Sequence, residues 1–408
     1  MATKTITDFS TKATASDSNL LTLANGSAKL TKNQCVNFDG TNDNVTINGL
    51  LTSCASHTAG TIAFWAWIDT DDGNQNELFS FGRDANATNT VFRAEFDLRV
   101  GQKRFWAGIA VDGTWKWNFK TDVNSTNAWI GGWHHFAVVQ NGTKPVLYVD
   151  GSPASTTEYT NTDTTPWFKA IITDATSKVD NSIMGLLSQN STPGIPYDGK
   201  VDKFQIYSSA LSSGDISTLY GEDRIGGADT PTNCVCNLHF RGNANDSSSS
   251  SNDGTLNSGA SVIDDPDTAG IYATTSPEIY LDFDGANGTL DATEGNVLNF
   301  AGWTETLTGA LPANTTVKNE IAVADTNGYG DGGFSETWRD ETDFDTYLAG
   351  GTKDGTRYAS FKVQINSDGS DTPDIASLAV EYTAVEIPVI GERSMFRGIG
   401  RGMYRGVA

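Results

Sequence analysis

The chain has 408 residues, too many for one ordinary domain and enough for two or three. Hydrophobic residues make up 38% and aromatics 10%, beside 42 glycines and abundant Asn, Asp, Ser and Thr, which is the balance of many short strands joined by polar turns rather than of a helical bundle. A formal charge of −23 repels nucleic acid and anionic membranes and keeps a β surface soluble.

No apolar run reaches membrane-spanning length and no secretory leader opens the sequence, so synthesis and folding in a cytoplasm are expected. Four cysteines, at 35, 54, 234 and 236, are too few to organise the chain through disulfides. Cys234-Val-Cys236 lacks metal-ligand spacing, which argues against zinc.

In chain order, residues 1–34 hold short β segments around Thr5–Phe9 and Leu20–Leu23, too little to fold alone. Their TITDF … SDSNLLTL … AKLT pattern resembles the N-terminal segment of phage tail-fibre and other virion proteins. Residues 35–222 carry alternating runs at Cys35–Phe38, Val45–Ile47, Thr61–Ile68, Glu77–Phe81, Phe92–Leu98, Phe105–Val111, Trp133–Val139, Val146–Val149 and Val201–Tyr207. Asp-Gly and Asn-Gly turns separate many of them, and so many strands require two packed sheets. Ala210–Tyr220 is expected to form one short helix.

The ordered motifs VNFDGTNDNVTI, GTIAFWAWID, GGWHHFAVVQNGTKPVLYVDGSP and YDGKVDKFQIYSSALSSGDISTLY resemble a laminin-G-like, concanavalin-A-type jelly roll. Residues 223–275, with five consecutive serines, read as a polar linker holding a remnant strand, exposed to protease around Asp246–Gly254. Residues 276–385 read as a second, smaller β-sandwich. Its closing stretch, through Arg357, Tyr358, Phe361, Val363, Ile365 and Pro373, resembles discoidin-like modules. The fold class is therefore all-β, a jelly roll followed by a second sandwich with extended terminal segments.

Residues 386–408 differ in kind. Met395-Phe396-Arg397-Gly398 repeats as Met403-Tyr404-Arg405-Gly406 with Arg401 between, giving 391–408 a net charge of +3 on an acidic chain. Five glycines there disfavour a helix, and the repeat reads as an anchoring tail that orders on an acidic or grooved partner.

Two kinds of binding site are expected, the first from the jelly-roll resemblance and the second from the aromatic pattern. The first is structural Ca2+ between an early Asp-Gly turn and the last strand, with Asp39 and Asp202 as ligands and Asp43 as a further candidate. The second is a glycan platform at Trp115 and Trp117, whose alternation places both on one strand face, with burial in the core as the alternative; Trp65 and Trp67 read as core. Related folds also host glycoside hydrolases, which need paired carboxylates. Glu95-Phe96-Asp97-Leu98-Arg99 begins such a pattern but lacks the second Glu, so Glu95 and Asp97 read as outward strand residues and no enzyme is expected.

Together these features point to a non-enzymatic phage virion protein, a fibre or capsid decoration. Other virion proteins, its own homo-oligomer and a host surface glycan are its expected partners, with neither nucleic acid nor membrane insertion. The alternative is a bacterial surface or secreted carbohydrate-binding protein, and a glycoside hydrolase is a remote third.

Overall fold

The computed structural model describes residues 2–15, 21–30, 32–83, 90–122, 129–189, 192–222, 224, 232–267, 278–281, 290–291, 296–324, 339–340, 358–367 and 371–386. The expected anchoring tail, with Met395, Phe396, Arg397, Arg401, Met403, Tyr404 and Arg405, lies outside them.

Two sheets make the jelly roll. One is eight-stranded, in the spatial order Thr156–Asn161, Thr114–Thr121, Arg104–Val111, Val91–Asp97, Gln75–Gly82, Asn181–Met184, Asn44–Thr46, Thr255–Asn257. The facing sheet runs Ser152–Pro153, Val146–Val149, Trp133–Gln140, Gly60–Ile68, Asp198–Tyr207, Gln34–Asp39, Ser261–Asp264, with Cys234–Leu238 also paired to Asp198–Tyr207. The strands exist because apolar residues alternate along them, and the two inner faces meet in a core of Phe side chains. Phe64 touches Phe105, Phe136 and Phe204 at ring distances of 5.9, 6.0 and 6.4 Å. Such pairs add about 0.5–1.5 kcal/mol each beyond their burial.

The expected helix is Ser213–Gly221, begun by Ser212 in a capping box with Asp215. It lies on the outer side of the second sheet, burying Leu211, Ile216 and Leu219 with Ala63, Ala137, Val139 and Tyr207.

Two placements differ from the sequence reading. Residues 223–275 do not simply link two domains: Cys234–Leu238, Thr255–Asn257 and Ser261–Asp264 pair with jelly-roll strands. Their polar composition disguised them because edge strands bury only part of one face. Residues 1–34 are likewise not a separate segment. Ala2–Ile6 and Ser27–Leu30 pair with Ile375–Glu386, and Ala13–Ala15 pairs with Glu278–Leu281. Ile6, Phe9, Leu21, Ala28 and Leu30 share one core with Ile279, Leu281, Phe361, Val363, Ile365, Ile375, Leu378 and Val380. The second sandwich is thus built from both ends of the chain, and the jelly roll is inserted within it.

Candidate functional site

The outer face of the eight-stranded sheet is where polar and aromatic side chains gather. Core residues Phe92, Ala94 and Phe96 alternate with Arg93, Glu95 and Asp97, which turn outward. Register places Gln75 opposite Asp97, Glu77 opposite Glu95, and Trp106 opposite both Glu95 and Lys120. These residues therefore lie side by side across four strands.

At the centre, Arg93 Nε donates to Glu77 Oε2 at 2.8 Å, and its terminal nitrogen donates to Glu95. Gln75 Nε2 donates to the other Glu95 oxygen at 2.7 Å. The Arg93 guanidinium also lies 5.2 Å from the centre of the Trp106 ring. Glu77 and Glu95 are buried, and desolvation raises the pKa of each despite Arg93. For Glu77 the rise is large, and its Oε1 has no hydrogen-bond donor. Both carboxyl groups are committed to Arg93 below the surface, which is unlike the pair flanking an open cleft that glycoside hydrolysis needs.

Towards one end the face opens. Arg99 grips Asp97 through two 2.8 Å hydrogen bonds, and Lys120 lies 3.6 Å from the same carboxylate. These two cations hold Asp97 below the usual carboxylate range, although burial opposes them. The Lys120 ammonium lies 5.0 Å from the Tyr159 ring, and Tyr159 is 75% exposed. Alongside is a cavity of about 330 Å³ lined by Gly40, Asp72, Asn74, Gln75, Arg99, Ile195 and Pro196. Leu187 packs with Val91 and Ala110, and Trp115 and Ile195 lie against the same cluster.

The expected platform divides. A bulge makes Trp115 and Trp117 pair with the consecutive residues Ala110 and Ile109, so Lys116 is the extra residue and the two indoles point to opposite faces. Trp117 is core, stacked on Trp167 at 6.2 Å. Trp115 is half-buried on the outer face, edge-on to Trp106 at 5.3 Å. Gly108 makes that packing possible, because a Cβ there would meet Trp115 at 2.9 Å and Trp106 at 3.2 Å.

Trp65 and Trp67 are not core either. Ile62, Phe64, Ala66 and Ile68 fill it, leaving both indoles on the outer face of the second sheet beside Trp133, His135 and Tyr220.

The calcium triad does not assemble. Asp198, not Asp202, pairs with Asp39, and the register carries Asp202 four residues further along the strand. Asp202 is fully buried and accepts from Arg241 at 3.2 Å, with Arg224 at 3.9 Å. Two guanidiniums already neutralise it, which disfavours a cation there. Asp39 caps its own turn through Thr41 N, and Asp43 accepts from Asp39 N. Among the described residues no group of three or more His, Cys, Asp or Glu is arranged to hold a metal ion.

The sequence reading missed Gln75, Glu77, Arg93, Arg104, Trp106, Lys120 and Tyr159. Alternation of charged residues with Phe92, Phe96 and Phe105 was the available signal.

The fold is that of a concanavalin A-like jelly roll, and residues 39–217 match the family described as the concanavalin A-like lectin/glucanases superfamily. No curated protein matches the chain. Among solved structures, the chain is similar to the CBM40 of Ruminococcus gnavus IT-sialidase bound to α2,3-sialyllactose, with 16% identity, 45% of this chain and 97% of that one covered, and a TM-score of 0.36. It is also similar to a heptameric SAP-like pentraxin from Limulus polyphemus, with 14% identity, 57% and 96% covered, and a TM-score of 0.37. The NanB sialidase of Streptococcus pneumoniae, as its K499G mutant, gives 12% identity, 62% and 33% covered, and a TM-score of 0.35.

Proposed function

We propose that the jelly roll is a non-catalytic carbohydrate-binding module that holds a glycan on the outer face of its eight-stranded sheet, at the end carrying Asp97 and Arg99. One observation carries this reading. An exposed Tyr159 ring stands beside Asp97, Arg99 and Lys120, next to a cavity lined by Asp72, Asn74, Gln75, Ile195 and Pro196. A sugar presents C–H faces and a rim of hydroxyls. The ring takes the first, and alternating carboxylate, amide and cationic groups take the second. The lectin and glucanase family matched over residues 39–217 supports the same reading.

The test is calorimetric titration of glycans found on an array, with wild type and Tyr159→Ala. Truncation of an exposed ring leaves the unfolding transition in place while affinity falls roughly tenfold or more. Unchanged affinity in Tyr159→Ala moves the site elsewhere, and an array without any glycan hit removes the reading.

Display on a virion, with capsid or tail proteins as partners, is a separate proposal. Its N-terminal support has a simpler account, because those residues serve the core of the second sandwich. Imaging of particles from the source gene neighbourhood tests it, and glycan binding does not depend on its outcome.

A further inference from the structure

We infer that the ligand of this face is an anionic polysaccharide lying across the strands, with its acidic groups met by Arg104 together with Arg99 and Lys120; this rests on the carbohydrate reading above.

Arg104 is the starting point. It opens the Arg104–Val111 strand and turns outward in register with Asp97. It is half-buried, and within the described residues it makes neither an ion pair nor a side-chain hydrogen bond; its Nε is buried with no acceptor. A guanidinium has five donors and no acceptor, and a buried donor left unmet is unfavourable. On a chain of charge −23, carboxylates to pair with an arginine are plentiful, so an arginine left without one is informative.

Its surroundings reinforce the charge. Arg99 and Lys120 share the single carboxylate of Asp97. Arg93 is already compensated by Glu95 and Glu77, and Lys103 by Asp71. The nearby acids are also committed. Asp122 accepts from Thr157 Oγ1, Glu158 is paired with Lys144, and Asp72 accepts from Asn74 and Asn76. A carboxylate or sulfate on a sugar would give Arg104 the forked acceptor it lacks.

Length follows from the sheet. The cavity is lined by Gln75 of the Gln75–Gly82 strand, and Tyr159 stands on Thr156–Asn161, four strand steps away in the sheet order. At about 4.8 Å per step the two backbones are roughly 19 Å apart, and Lys120 and Arg99 meet across that gap at Asp97. A ligand that touches both the Tyr159 ring and the cavity passes over Lys120 and Arg99 and is longer than a single sugar.

The test uses the full chain and two ligand pairs: an oligouronate with its carboxyl-reduced counterpart, and a sulfated oligosaccharide with its desulfated counterpart, each as hexasaccharide and disaccharide. One acidic hexasaccharide is expected to bind roughly tenfold or more tighter than its neutral counterpart and than its disaccharide, and to weaken as salt is raised. Which pair shows the difference identifies the acid. Arg104→Gln should lose that preference while Arg104→Lys keeps most of it; both variants are first checked for the wild-type unfolding transition. Equal or tighter binding of the neutral partner, or an unchanged preference in Arg104→Gln, overturns the inference. Neutral-glycan binding that Tyr159→Ala abolishes leaves the carbohydrate reading standing, whereas no binding by any glycan removes both.

Discussion

Glu77 and His135 are buried ionisable groups whose titration should be visible in stability. Glu77 holds its proton more tightly in the folded state than in the unfolded chain, where 4.5 is the ordinary value. The stability this gives is complete below pH 4.5 and is lost as pH rises through the elevated folded value, at up to about 1.4 kcal/mol per pH unit. Glu77→Gln should therefore flatten the decline of melting temperature above pH 4.5, and an unchanged slope would assign it to other groups. His135 works in the opposite sense. Burial between Trp65 and Tyr220 lowers its pKa from 6.5 to about 3, so the unfolded chain takes up a proton first as pH falls. Stability is present above pH 6.5 and is lost from there down towards 3. His135→Phe keeps the ring stack, and thermal melts between pH 6.5 and 4 should show a shallower acid limb. The sequence made the direction of Glu95 and Asp97 legible through their alternation with Phe96 and Leu98. What lay opposite them was not legible, because Glu77 meets Glu95 only through pairing of strands.

Elements show the same division between local and non-local signals. The nine strands read from alternation all appear, because each buries one face continuously and the code is local. Thr114–Thr121 was harder: its bulge at Lys116 breaks the period of two and sends Trp115 and Trp117 apart. The serine-rich stretch is the clearest reversal, since its order depends on one carboxylate rather than on apolar burial. Asp246 accepts from the backbone N–H groups of Asn237, Ser248 and Asn252 at 2.8, 2.8 and 2.7 Å, and from Ser248 Oγ at 2.8 Å. Asn252 is buried and bonds Ser53 Oγ at 3.0 Å, tying the loop to the jelly roll. Loss of these acceptors costs about 1–3 kcal/mol locally, enough to open a loop with little apolar burial of its own. Native wild type should resist limited proteolysis across 243–254, whereas Asp246→Ala should be nicked there first. Ready cleavage of wild type in this stretch would restore the linker reading.

At the scale of the whole molecule, two chain crossings join an inserted domain to its host, and they lie together. Gln34 pairs with Asp264 in register, Lys32 Nζ is 3.0 Å from Asp264, and Asp265 N donates to Asn33 O at 3.1 Å. Arg224 and Asn33 both donate to Asp265, whose other oxygen takes Trp133 Nε1 at 2.9 Å, so the exit is fastened to the jelly roll itself. Entry and exit only about 5 Å apart mean that removing the insert leaves a short gap for the host to close. The host, in contrast, depends on the far end of the chain. Without residues 2–30 the strand Ile375–Glu386 loses Ala2–Ile6 and Ser27–Leu30 as neighbours, and the core loses Ile6, Phe9, Leu21, Ala28 and Leu30. Burying one such large side chain contributes about 1.5–3 kcal/mol, so losing several exceeds the margin of a small domain. Three chains test this. Residues 32–267 alone should fold and unfold cooperatively. A chain lacking 32–267, with residue 31 joined to 268, should fold as the second sandwich, while 268–408 alone should not. Cooperative unfolding of 268–408 at the same temperature as the joined chain would mean that the N-terminal strands are appended to a domain already complete, and the insertion would be one of sequence only.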